Sequence, residues 1–193
     1  MPIPLKKQLQ NKGNTKQNTL RILLIGYMGA GKTTIGKVLS DEMNIPFYDL
    51  DWYIEARMHR NIKQLFEERG EEGFRKIEQA MLHEVAENEN VIIACGGGTP
   101  CFFDNMDYMN RQGTTVYLKA IPEVLYAHLK MGKTIRPLLL GKTEEEIGQL
   151  IVRQVAERES YYLKAKYVLN INLLNSAGKI KEAVYNLREL LNT

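Results

Sequence analysis

One octapeptide, Gly26-Tyr-Met-Gly-Ala-Gly-Lys32-Thr33, restricts this chain more than any other feature. The pattern Gly-x4-Gly-Lys-Thr works only where a strand ends at its first glycine and a helix opens at its lysine. Both neighbours are present in the sequence. The apolar run 21–25 precedes it, and an amphipathic stretch over 32–43 follows. In that setting the glycines let backbone N–H groups curl around phosphates, and the helix N-terminus adds partial positive charge. Lys32 reaches the β and γ phosphates, Thr33 offers a hydroxyl to Mg2+, and Gly29, Ala30, Gly31 and Thr34 complete the cradle. At ordinary glycine usage the four fixed positions coincide by chance in roughly one such chain in a hundred. A glycine-rich turn without a ligand is the bland alternative. Two repeats of the last triplet, at Gly132 and Gly141, have Ala127 and Arg136 where the first glycine belongs and follow no strand.

The rest of the chain repeats the same alternation. Short apolar runs at 21–25, 46–50, 91–95, 114–118 and 167–171 predict five strands. Amphipathic patterns at 32–43, 73–87, 121–130, 144–164 and 176–191 predict the helices between them. The fold class is therefore α/β, a parallel sheet crossed over by helices. Residues 1–19, rich in Lys, Gln, Asn and Thr, lack apolar periodicity and read as a flexible tail before one domain over 20–193. At 193 residues one core is the expectation.

Charge and cysteine content narrow the function classes. Lys6, Lys7, Lys12 and Lys16 lie in the tail, and removing their four charges from the net +3 leaves −1 for the remainder. A nucleic-acid surface needs its positive charge on the folded body, so no nucleic-acid partner is expected. Cys95 and Cys101 match neither a zinc site nor a disulfide framework and read as free thiols. No apolar run of membrane-spanning length occurs, and the start has neither a secretory pattern nor the serine and arginine of a transit peptide. The expectation is a cytoplasmic protein with no membrane partner.

A phosphate cradle cannot by itself separate a switch, a motor and a small-molecule kinase. Asp49-Leu-Asp51 closes the second predicted strand, where alternation would aim both carboxylates to one side at the ligand-binding sheet edge. Capping of the following helix explains Asp49 and Asp51 equally well. Arg75, in Gly-Glu-Glu-Gly-Phe-Arg, begins a predicted helix, where a cation suits an anionic partner. A surface ion pair with Glu71, Glu72 or Glu78 is the other reading. Gly96, Gly97 and Gly98 after the third strand expose backbone to a ligand or simply form a turn. The basic stretch 130–143, with Lys130, Lys133, Arg136 and Lys142, reads as a lid over triphosphate or as a solvated loop. His59, His83 and His128 lack metal-ligand spacing and read as structural.

Taken in order, the octapeptide, Asp-Leu-Asp, Gly-Glu-Glu-Gly-Phe-Arg, the triple glycine, Arg136-Pro-Leu-Leu and Arg158 before paired tyrosines closely resemble the shikimate kinase family. The resemblance spans residues 21–172. It implies a three-layer P-loop fold like that of nucleoside monophosphate kinases, with a five-stranded parallel sheet, a substrate-binding region over about 52–82 and a mobile lid. It also implies ATP and Mg2+ as cofactors, shikimate as the small-molecule substrate, and a monomer. Asp51 would bind the ring hydroxyls and orient or deprotonate the attacking one, Arg75 and Arg158 would clamp the carboxylate, and Gly97 would add a backbone contact. Thr33 would ligate Mg2+ directly and Asp49 through water, while Lys32 and Arg136 would stabilise the transferring phosphoryl group. Phe66, Phe74 and Pro137 would line the apolar side, and Asn175 would contact the base. Two departures stand out. Leu129 and Lys130 occupy the place where many members carry an adenine-stacking arginine, and 172–176 matches loosely. A gluconate or nucleotide kinase on the same scaffold and a binding module without catalysis are the competing readings.

Overall fold

Five short strands lie parallel in one sheet, in the order β2-β3-β1-β4-β5. They are β1 (Arg21–Ile25), β2 (Phe47–Asp49), β3 (Val91–Ala94), β4 (Thr114–Lys119) and β5 (Tyr167–Asn170). The computed structural model describes residues 20–132 and 141–192. The tail, Arg136 and Pro137 lie outside the described residues. Central β1 pairs with β3 on one side and β4 on the other, Leu24 standing opposite Ala94 and Val116. Ile22, Leu23, Leu24 and Ile25 are all fully buried, which explains the unbroken apolar run of a strand covered on both faces. Truncating one of them to alanine would cost about 2–5 kcal/mol. The edge strands are short, and β5 alternates buried Leu169 with exposed neighbours.

Among the described residues seven helices surround the sheet: α1 (Lys32–Met43), α2 (Leu50–Met58), α3 (Ile62–Ala86), α4 (Asn105–Gln112), α5 (Pro122–Met131), α6 (Glu144–Tyr162) and α7 (Ala177–Leu191). A 3-10 turn at Thr99–Cys101 precedes α4. Their starts are encoded locally. Asn61 with Gln64 and Thr143 with Glu146 form reciprocal capping boxes, and Ser176 caps α7. Between β1 and β3 on one side and β4 on the other the strand order reverses, so the ligand crevice of an open α/β sheet falls at the C-terminal end of β1.

Three sequence expectations are corrected here. The second strand ends at Asp49, because Leu50 already belongs to α2; Asp49 and Asp51 are not two same-side positions of one strand. The helix expected over 73–87 runs from Ile62, with Gly70 (φ 66, ψ 179) breaking its regularity. The break folds Phe66 onto Phe74, their rings stacked with centroids 4.2 Å apart. Arg75 therefore lies in the second turn beyond the break rather than at a helix start, and Glu71 and Glu72 occupy the first turn. Arg75 is therefore not a cation at a helix N-terminus. Helices α2 and α4 also escaped the periodicity reading.

Candidate active site

At the end of β1 the chain turns through Gly26–Gly31 into α1. Gly31 caps the helix at φ 88, a left-handed conformation that side chains resist, and a Cβ there would stand 2.5 Å from Leu174 Cδ1. No side chain caps α1 and its first turn holds no acid. The first N–H groups and the positive end of the helix are thus left for an anion. Lys32 Nζ folds back over the turn, donating to the carbonyls of Gly26 (2.7 Å) and Tyr27 (3.0 Å). Ala30 is buried beneath the turn, its N–H bonded to the Tyr27 carbonyl.

Asp49 takes the capping role and also faces the phosphate turn. One carboxylate oxygen caps α2, accepting from the N–H groups of Asp51 (3.2 Å) and Trp52 (3.4 Å). The other accepts from the Thr33 hydroxyl at 2.6 Å. A hydroxyl and a carboxylate beside a phosphate cradle form the hard-oxygen set that suits Mg2+, which takes its other ligands from water and phosphate. Among the described residues no cluster of three or more His, Cys, Asp or Glu could hold a metal unaided.

These parts face one cavity of about 790 Å³, ample for a nucleotide and a small acceptor. Of the residues singled out in the sequence, Gly29, Gly31, Lys32, Thr33, Thr34, Asp49, Asp51, Gly96 and Gly97 line it. So does Trp52, about half exposed, with Lys37 Nζ 4.5 Å from its ring centroid. Gly96 is where Glu78 and Asp51 come together. A Cβ there would lie 2.9 Å from Glu78 Oε1 and 3.0 Å from Asp51 Oδ1. Gly97 sits as closely against the phosphate turn, where a Cβ would be 3.3 Å from Met28 N. Its carbonyl accepts from the Tyr162 hydroxyl.

Arg75, Arg158 and Gly98 do not line the cavity. The Arg75 guanidinium packs flat on Gly98, leaving no room for a Cβ, and stands 4.1 Å from the Phe102 ring centroid. Glu78 holds it from below at 2.8 Å, with Glu71 at 3.4 Å. The ion-pair reading of Arg75 is therefore correct, but the pair is interior: the Arg75 and Glu78 side chains are 10% and 1% exposed. Thr99 donates to the other Glu78 oxygen at 2.6 Å. Arg158, on α6, lies 5.7 Å from the Tyr27 ring centroid. Both arginines act on Cys101: burial pushes its thiol up, while Arg158 and then Arg75 pull it down. Arg75 thus stands against Gly98 at the start of the 3-10 turn. Cys95, fully buried, has its thiol pushed up by burial and then by the Glu78 charge.

Asn175 is exposed, and its neighbour Leu174 lines the cavity instead. Glu78, Thr99 and His128 are the positions that sequence reasoning did not assign to the site. Thr99 meets Glu78, and His128 meets Gly29 and Leu174, across long sequence separations that no local spacing signals, whereas Glu78 was visible only as an ion-pair partner of Arg75.

Comparison with known proteins shows what the chain is similar to. The family profile described as shikimate kinase matches residues 28–189. The shikimate kinase of Bacteroides thetaiotaomicron is 51% identical over 172 residues, covering 89% of this chain and 98% of that one. The 1.7 Å crystal structure of shikimate kinase from that organism superposes with a TM-score of 0.89 at 50% identity, covering 91% of this chain and 99% of the other. Shikimate kinase from Acinetobacter baumannii in complex with shikimate gives a TM-score of 0.76 at 30% identity, covering 91% and 94%.

Proposed function

The chain belongs to the shikimate kinase family, and from that premise we propose that it transfers the γ-phosphoryl group of ATP to the 3-hydroxyl of shikimate, giving shikimate 3-phosphate and ADP. The observation that carries this reading is the single cavity in which the phosphate cradle, with Lys32 and Thr33, faces Asp51 and the Gly96-Gly97 backbone. Donor and acceptor machinery are thereby held within one small volume, as in-line transfer requires.

In this mechanism the turn and the α1 N-terminus hold the triphosphate. Lys32 exchanges its carbonyl partners for phosphate oxygens and offsets the charge of the transferring group. Asp51 accepts the proton of the attacking hydroxyl as its oxygen bonds to the γ-phosphorus and the bond to the ADP oxygen breaks. Thr33 and Asp49 would hold Mg2+, which supplies charge neutralisation on the phosphates when bound. Arg75 and Arg158 attract the substrate carboxylate, for which a planar guanidinium offers two parallel donors. Arg136 would add positive charge over the phosphates, and Asn175, next to the cavity-lining Leu174, would contact the base.

The same reading takes the protein as a cytoplasmic monomer, one domain behind a basic tail, without nucleic-acid or membrane partners. It is supported by the −1 charge outside the tail and by the absence, among the described residues, of a helix long and apolar enough to cross a membrane. The test is ADP release with ATP and Mg2+ when shikimate, gluconate and nucleoside monophosphates are offered separately, repeated with Asp51→Asn and Arg75→Ala. Turnover with shikimate that both variants lose is expected. Turnover with another acceptor alone would overturn the substrate assignment.

A further inference from the structure

His128 makes two hydrogen bonds that join three separate parts of the site. Its Nδ1 lies 2.7 Å from the carbonyl oxygen of Gly29, in the phosphate turn. Its Nε2 lies 2.7 Å from the backbone N of Leu174, in the loop between β5 and α7. The chemistry of the partners fixes the ring. A carbonyl oxygen only accepts, so Nδ1 carries the hydrogen, and a backbone N–H only donates, so Nε2 presents its lone pair. Neutral imidazole in the Nδ1–H tautomer satisfies both, and no other state of the ring does.

The packing around this contact is close. A Cβ on Gly29 would stand 3.0 Å from the Leu125 carbonyl and 3.1 Å from Leu129 Cγ, so α5 rests directly on the phosphate turn. On the other side Leu174 Cδ1 presses against Gly31. His128 and Leu174 both line the cavity, with Met131 and Gly132 beside them. The loop 171–176 lies between regular elements, and His128 supplies the partner for the Leu174 N–H within it.

We propose that His128 is a positioning residue for nucleotide binding: its neutral ring clasps the Gly29 turn to the Leu174 loop, presetting the nucleoside end of the cavity before ATP or ADP arrives. A loop ordered in advance costs less to order on binding, so the clasp appears as nucleotide affinity. It leaves the acceptor side unaffected, because Asp51, Glu78 and Arg75 make none of these contacts. The inference rests on the kinase reading only for the identity of the nucleotide.

The experiment measures ADP affinity by calorimetry in the presence of Mg2+ for the wild type, His128→Ala, His128→Leu and His128→Asn, alongside steady-state kinetics and thermal melting. Loss of two hydrogen bonds of ordinary strength predicts that Ala and Leu weaken ADP binding and raise the ATP KM about 10–30-fold. Shikimate KM and kcat at saturating ATP should stay within about twofold. Asn keeps one donor and one acceptor and should recover most of the ADP affinity, which a role as packing volume alone would not produce, since Leu then rescues better. ADP affinity unchanged in folded His128→Ala, or Leu rescuing better than Asn, would overturn the proposal. Should Ala fail to fold, the comparison of Asn with Leu decides alone. Normal ADP results in a protein inactive on shikimate would instead remove the substrate assignment and leave the clasp standing.

Discussion

Replacing Gly98 by alanine separates the geometry of Arg75 from its chemistry. Gly98 has φ −92 and ψ −20, a conformation open to any residue, so the substitution adds no backbone strain. The added methyl carbon would stand 2.7, 2.8 and 2.9 Å from three guanidinium atoms of Arg75. Ordinary contact requires those atoms to retreat by about 0.7 Å. They cannot retreat freely, since Glu78 holds Nη1 at 2.8 Å and the Phe102 ring lies across the guanidinium. A misplacement approaching 1 Å at a substrate-positioning group costs up to about 10²-fold, near 2.7 kcal/mol. Overpacking adds about 1–3 kcal/mol of destabilisation, which for a chain of this size lowers Tm by several degrees without unfolding it. The expected result is a shikimate KM raised about 30–100-fold with the ATP KM near that of the wild type, read from ADP release with each substrate varied in turn. A shikimate KM within twofold of the wild type, in a protein whose Arg75→Ala variant is impaired, would refute the claim that Gly98 sets the guanidinium's position.

Glu78→Gln removes the buried carboxylate beneath Arg75 and should cost about 3–5 kcal/mol, a Tm lower by about 10 °C in a thermal melt; a loss below 1 kcal/mol would contradict the pairing described. Asp49→Asn keeps an oxygen to cap α2 but reduces the negative charge beside Thr33. It should raise the Mg2+ concentration for half-maximal activity about tenfold with little change in Tm, and an unaltered Mg2+ titration would remove Asp49 from that role. Of the two thiols, Cys101 is partly exposed while Cys95 is fully buried, and burial raises both above the ordinary thiol value. Iodoacetamide at pH 8 should therefore modify Cys101 first, and saturating shikimate should slow it because Arg75, proposed to hold the substrate carboxylate, packs on Gly98 at the start of the same turn. Peptide mapping that found Cys95 modified first, or no protection, would count against this geometry.

What could be read from the sequence was what is locally determined. The strand, turn and helix of the phosphate cradle follow from residues within about twenty positions, and β1, β3, β4, β5, α1, α6 and α7 lie within two residues of their expected ends at nearly every boundary. Helix α2 was hidden because Leu50 and Ile54 are its only buried residues, too few to establish a period. The polar Asn-Met-Asp-Tyr-Met-Asn-Arg-Gln of α4 likewise buries little more than Met106 and Met109. Asp51 was singled out correctly for the cavity, though by a strand alternation that ends one residue too soon. The buried pairing of Arg75 with Glu78 was legible as an i,i+3 spacing, but not the depth at which it sits. Thr99 meets Glu78 across 21 positions and His128 meets Gly29 across 99, separations at which only the folded sheet brings partners together.

In the proposed reaction the turns after the neighbouring strands β1 and β3 would supply the two sides in different materials. The phosphate side is largely main chain: N–H groups, a helix end and glycines that admit no side chain. The acceptor side, around Gly96, is side chain: Asp51, Glu78, Arg75 and Thr99. Point mutation edits side chains readily and main chain hardly at all. A lineage built this way can exchange one alcohol for another by altering a few residues after β2 and β3, while the donor half is inherited unchanged. Catalyst redesign on this scaffold should accordingly begin at Asp51 and the Gly96–Thr99 turn and leave the octapeptide untouched.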